Sequence, residues 1–90
     1  MNLEALKQTK NPIIILLSTE LDPQSAMQEE NFNKIEDVEK HIINVIHFPE
    51  VAQHLQISKF PATVTMNAGK VINIYFGVNN RIESMINDLK

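Results

Sequence analysis

Ninety residues, eight lysines and arginines against eleven aspartates and glutamates, and no cysteine at all set the outer limits on this chain. At that length there is one domain, residues 1–90, with a single core to build and no room for a second catalytic lobe. Scattered basic residues argue against a phosphate-tracking surface and so against nucleic acid as a partner, and the lack of any thiol excludes disulfides, thiolate nucleophiles, thiolate metal sites and a dithiol redox cycle.

In chain order, NLEALKQTK spaces Leu3 and Leu6 three apart with Ala5 beside them, which predicts a short amphipathic helix that Asn11-Pro12 ends. The opening segment holds no apolar signal core. IIILL, the longest apolar run, is far shorter than the about 20 residues that span a bilayer, so a soluble cytoplasmic protein without membrane contact is expected. That same run, Ile13 to Ser18, is β-branched at its start and apolar on both faces, as befits a central strand β1 covered by helices on each side.

DPQSAMQEENFNKIEDVEK then offers Asp22 as an N-cap and Pro23 at the first helical position, where its missing N–H costs nothing. The expected apolar stripe is Ala26, Met27, Phe32, Ile35 and Val38. Glu29, Glu30, Asn31 and Asn33 face water, the acidic first half suits the helix dipole, and the helix ends between Asn33 and Lys40. HIINVIH, His41 to His47, has the composition of a second strand, β2, parallel to the first because a helix separates them. FPEVAQHLQI predicts a helix of about two turns with Val51 and Leu55 on one side. PATVTMNAGKVINIYFG, Pro61 to Gly77, is a hairpin of two strands, β3 and β4, around NAGK, with Gly69 free to take positive φ. Ile82, Met85, Ile86 and Leu89 mark a closing amphipathic helix.

His41 and His47 share a face of the expected second strand, and His54 follows in the next helix. Zinc wants three or four converging ligands and no cysteine is available, so solvated histidines beside an edge strand account for the pattern more simply and no metal is expected. Met27, Met66 and Met85 fit core filler better than a cofactor box. Gly69 and Gly77 are the only glycines, too few for a phosphate-binding loop, and no cofactor is expected.

The segment QISKFPATVTMNAGKVINIYFGV resembles the C-terminal half of the thioredoxin family: Phe60-Pro61 enters a strand, Gly69 sits in a hairpin, and Gly77 precedes the last helix. NPIIILLSTELDPQSAM is similar to that family's central strand, loop and helix start, which extends the resemblance over roughly residues 11 to 90. It implies an α/β, thioredoxin-like fold with a four-stranded mixed sheet in the order β2-β1-β3-β4, lacking the strand that in the family precedes the first helix. Asp22, Pro23, Gln24 and Ser25 fall on the family's Cys-x-x-Cys. Asp22 and Ser25 replace the nucleophilic and resolving cysteines, and Leu16 replaces the buried acid.

The resemblance further implies a cis bond at Phe60-Pro61 and a shallow groove lined by Thr19, Leu21, Asp22, Phe60 and Pro61. Such a groove either holds an extended peptide by backbone pairing or is inherited architecture without a ligand. Without the preceding strand, HIINVIH is an apolar, uncharged edge, which either pairs with another chain, as in a homodimer through His41 to His47, or stays short and unpaired. Two functions follow. One is a redox-inactive thioredoxin-like module that binds a protein or peptide at the Pro61 groove or the sheet edge. The other is an enzyme that uses Asp22 and Ser25 without sulfur. No histidine or lysine is predicted near that pair to act as a base, and capping accounts for Asp22, so the expectation is a binding module with no catalytic residue.

Overall fold

A computed structural model describes residues 1–90. The chain runs α1 (Leu3–Gln8), β1 (Ile13–Ser18), α2 (Pro23–Asn33), β2 (Glu39–Asn44), α3 (Pro49–Leu55), β3 (Ala62–Asn67), β4 (Lys70–Phe76) and α4 (Ile82–Asp88). β1 pairs in parallel with β2, Ile13 opposite Glu39 through Ser18 opposite Asn44, and antiparallel with β3, Leu17 opposite Ala62. β4 folds back on β3 to give the order β2-β1-β3-β4. The turn between them sets both Ala68 and Gly69 at positive φ, the geometry that matches the strands' own twist.

All six residues of β1 are buried, because helices cover the sheet on both sides. Ile13, Ile15 and Leu17 pack with Leu6 of α1 and Val51 of α3, while Ile14 and Leu16 pack with Phe32 of α2 and Met85 of α4. Alternation along one strand therefore feeds two cores.

Two expectations are corrected. α2 starts where Asp22 and Pro23 place it, but its inward residues are Ser25, Gln28 and Phe32, and Met27 is 57% exposed. The cap fixes the helical phase, so the sheet-facing stripe steps from Ser25 to Gln28 to Phe32 and passes Met27 by. The helix stops at Asn33, so Ile35 and Val38 reach the core from the connection that follows. Its first turn holds no acid, and Asp22 alone complements the dipole there.

β2 starts two residues earlier than HIINVIH and ends three earlier. Asn44 ends it: the Asn44 Oδ1 accepts the Ile46 N–H at 2.9 Å and the Asn44 carbonyl accepts the N–H groups of His47 and Phe48, turning the chain toward α3. His47 thus lies outside the strand and shares no strand face with His41. The edge is also charged, since the strand begins Glu39-Lys40-His41. The Lys40 ammonium donates to the carbonyls of Phe32 (3.1 Å), Asn33 (3.2 Å) and Ile35 and sits 5.6 Å above the Phe32 ring, capping the end of α2.

Candidate functional site

β1 delivers the chain at Ser18 and α2 takes it up at Pro23, so residues 19–22 cross the C-terminal end of the central strand. Much of this loop's hydrogen-bonding capacity is spent on holding its shape. The Thr19 N–H donates to Ser25 Oγ at 3.1 Å, the Leu21 N–H to Thr19 Oγ1 at 3.3 Å, and the Gln24 N–H to Asp22 Oδ1 at 2.9 Å. Ser25 is 1% exposed, whereas the Leu21 side chain, 84% exposed, stands out in solvent.

The register that sets Leu17 against Ala62 brings this loop's start alongside Phe60 and Pro61. The Phe60–Pro61 peptide is cis. Pro61 is buried and its carbonyl accepts the Gly77 N–H at 2.8 Å, and Gly77 itself takes φ +75 as the chain leaves β4. Phe60 is half-buried, and its own N–H and C=O make no hydrogen bond within the chain. Phe76, 53% exposed, lies opposite Ala62, and a concavity of about 310 Å³ lined by Gln56, Ile57, Ser58, Lys59 and Phe76 opens beside it.

A second concavity, about 380 Å³, lies between the β1–α2 loop and β2. Glu20, Asp22 and Glu29 line it with Ile42 and Asn44, and Asn44 Nδ2 donates to Glu20 Oε1 at 2.9 Å. Asp22 faces this space and Ser25 does not. The two are thus joined through the backbone, Ser25 N–H to Asp22 carbonyl at 3.0 Å, while their side chains serve different partners. No histidine, lysine or arginine lines the cavity. His41 pairs with Glu39 at 3.1 Å, His47 lies in the turn after β2 and His54 in α3, and no three of the chain's histidines and acids are placed so that they could hold a metal ion.

Sequence reasoning missed Gln28. It is 1% exposed, its Nε2 donates to Thr63 Oγ1 at 3.2 Å, and its Oε1 accepts the Asn79 N–H at 2.8 Å and Asn31 Nδ2 at 3.3 Å. Asn31 Nδ2 also donates to the Asn79 carbonyl at 3.2 Å. Asn31, expected in water, is therefore half of a clasp that ties the Gly77–Arg81 connection to α2. A polar residue in helical phase with Ser25 and Phe32 was the available signal.

At the far side of the sheet, Asp88 accepts hydrogen bonds from Tyr75 Oη (2.6 Å), Thr65 Oγ1 (3.0 Å) and Asn73 Nδ2 (3.1 Å). Burial raises the Tyr75 phenol, the bond to Asp88 and its charge add to that, and together they push it up to about 12. Burial also works against the Asp88 carboxylate, but the bonds from Tyr75, Asn73 and Thr65 outweigh it and hold the group below its ordinary value.

No protein-family model and no curated protein sequence matches this chain. Solved structures do. The thioredoxin of Malassezia sympodialis superposes with a TM-score of 0.86 at 19% identity, covering 98% of this chain and 85% of that one. Mitochondrial thioredoxin 3 of Saccharomyces cerevisiae gives 0.80 at 22% identity over 96% and 85%, and the Fasciola hepatica thioredoxin 0.81 at 17% over 97% and 89%. The fold is thioredoxin-like, and these ninety residues carry it without a cysteine.

Proposed function

We propose that the chain is a redox-inactive thioredoxin-like module that holds an extended peptide across the groove formed by Thr19, Leu21, Asp22, Phe60 and Pro61. The observation that carries this reading is the unpaired backbone of Phe60, together with exposed apolar side chains at Phe76 and, on the β1–α2 loop, at Leu21. An extended segment satisfies that N–H and C=O by adding main-chain bonds, and apolar side chains on it cover Leu21 and Phe76. Dithiol exchange is ruled out by composition. The alternative, catalysis by Asp22 and Ser25, is disfavoured because Ser25 is buried with its hydroxyl oxygen bonded to the Thr19 N–H, and because no histidine or lysine lines the cavity that Asp22 faces. The β2 edge suits a partner strand or a second copy less well, because its first three residues are charged or titratable and Lys40 is committed to α2.

Selection from a displayed library of extended octapeptides tests the reading. Peptides that bind should slow hydrogen exchange at the Phe60 amide and bind the Leu21→Glu chain about tenfold more weakly. The reading is overturned if no selected peptide slows exchange at the Phe60 amide and loses affinity with Leu21→Glu.

A further inference from the structure

The second open edge of the sheet, β4, differs from the first. Val71 (42%), Ile72 (39%) and Phe76 (53%) are exposed along it, and Lys70 is its single charged residue. The Gly77 to Pro61 bond fixes which facing pairs exchange hydrogen bonds: by antiparallel alternation Thr63–Tyr75 is such a pair, while Ile74 and Phe76 turn their N–H and C=O outward. α4 lies beside this strand. Two adjoining concavities, about 280 and about 430 Å³, run between them and share Ile74, Tyr75 and Arg81 as lining.

Two charged groups line that cleft. Asp88 is saturated by Tyr75, Thr65 and Asn73, but the Arg81 guanidinium has no ion pair and no hydrogen bond. We propose that β4 is a docking edge for an extended segment of a partner protein, added as a fifth strand, whose acidic side chain reaches Arg81. On a strand laid beside β4, successive side chains alternate between the two faces of the sheet. The carboxylate lies on the α4 face and forms a bidentate pair with Arg81. The residues on either side of it lie on the opposite face, beside Ile74 and Phe76, and are apolar. A second copy of β4 fits poorly, since Lys70–Phe76 contains no carboxylate to offer Arg81.

This inference does not depend on the Pro61 groove, and its test is run with that groove disabled. The octapeptide library is selected on the Leu21→Glu chain. Expected are peptides with Asp or Glu between two β-branched or aromatic residues. These slow exchange at the Ile74 and Phe76 amides and bind about tenfold more weakly when Arg81→Glu is added, with Arg81→Gln intermediate. The proposal is overturned by a lack of binders, by binders without acidic enrichment, or by binding indifferent to Arg81. It is equally overturned if the Ile74 and Phe76 amides become protected with rising protein concentration alone, which would assign the edge to a second copy.

Discussion

The β1–α2 loop and the turn at Phe60 lie side by side and differ in what they leave unspent. In the loop, Asp22, Ser25 and Thr19 each accept a backbone N–H, so polar side chains that look chemical are structural. At the turn Phe60 carries an apolar side chain and leaves its own N–H and C=O open. When reactive groups are absent from a loop at a helix start, the loop still has N–H donors to satisfy, and Asp and Ser do this well. The neighbouring turn is left with what any backbone provides, a donor and an acceptor.

The comparison breaks most forcefully if the loop's support is given a reactive group. Leu16→Asp places a carboxylate among Phe32, Ile35 and Met85 with no partner. It should cost roughly 3 to 5 kcal/mol near neutral pH, with the deficit shrinking in acid as the carboxyl protonates; urea melts at two pH values check it. Gln28→Leu should cost about 1 to 3 kcal/mol by stranding the Asn79 N–H and the Thr63 hydroxyl, and should speed exchange through the Gly77–Arg81 connection. Asp22→Ala and Ser25→Ala should each lower stability by about 1 kcal/mol in thermal melts. Phe60, by contrast, should exchange its amide rapidly in the free chain.

The smallest effects are set by pH. Asp88, held below its ordinary 3.8, stabilises the fold above that value and loses its contribution as pH falls through the lowered one. Tyr75, pushed from 10.0 to about 12, contributes fully below pH 10.0 and loses this as pH climbs toward 12. Denaturation midpoints should therefore be flat between these limits as far as this cluster is concerned. Asp88→Asn should weaken both limbs.

The parts of the fold legible in the sequence are those set by short-range chemistry. Ile13 to Ser18 came out as a strand because a β-branched, unpunctuated apolar run has few other solutions, and α2 began at Pro23 because cap and proline agree. The limits of β2 were hidden because Asn44 ends it with a side-chain turn inside a run of otherwise strand-forming residues. Lys40 was invisible for a different reason: its role depends on where the carbonyls of α2 end, which is a tertiary fact. In the candidate site, the positions of Asp22 and Ser25 were legible, but Ser25's partner was not. A hydroxyl's acceptor role is decided by the path of a loop that no spacing rule describes.

The unbroken burial of β1 also shapes what happens when the protein comes apart. Ile13 through Leu17, covered by helices on both sides in the native state, is an uncharged, wholly apolar window, β-branched over its first three residues, once those helices leave. Such windows associate with copies of themselves, and Asn11-Pro12 on one side and Glu20 on the other are the nearest residues that interrupt it. The strand that makes the fold so readable is thus also the segment through which heated chains would stick together. The two helical layers act as its solubilising cover.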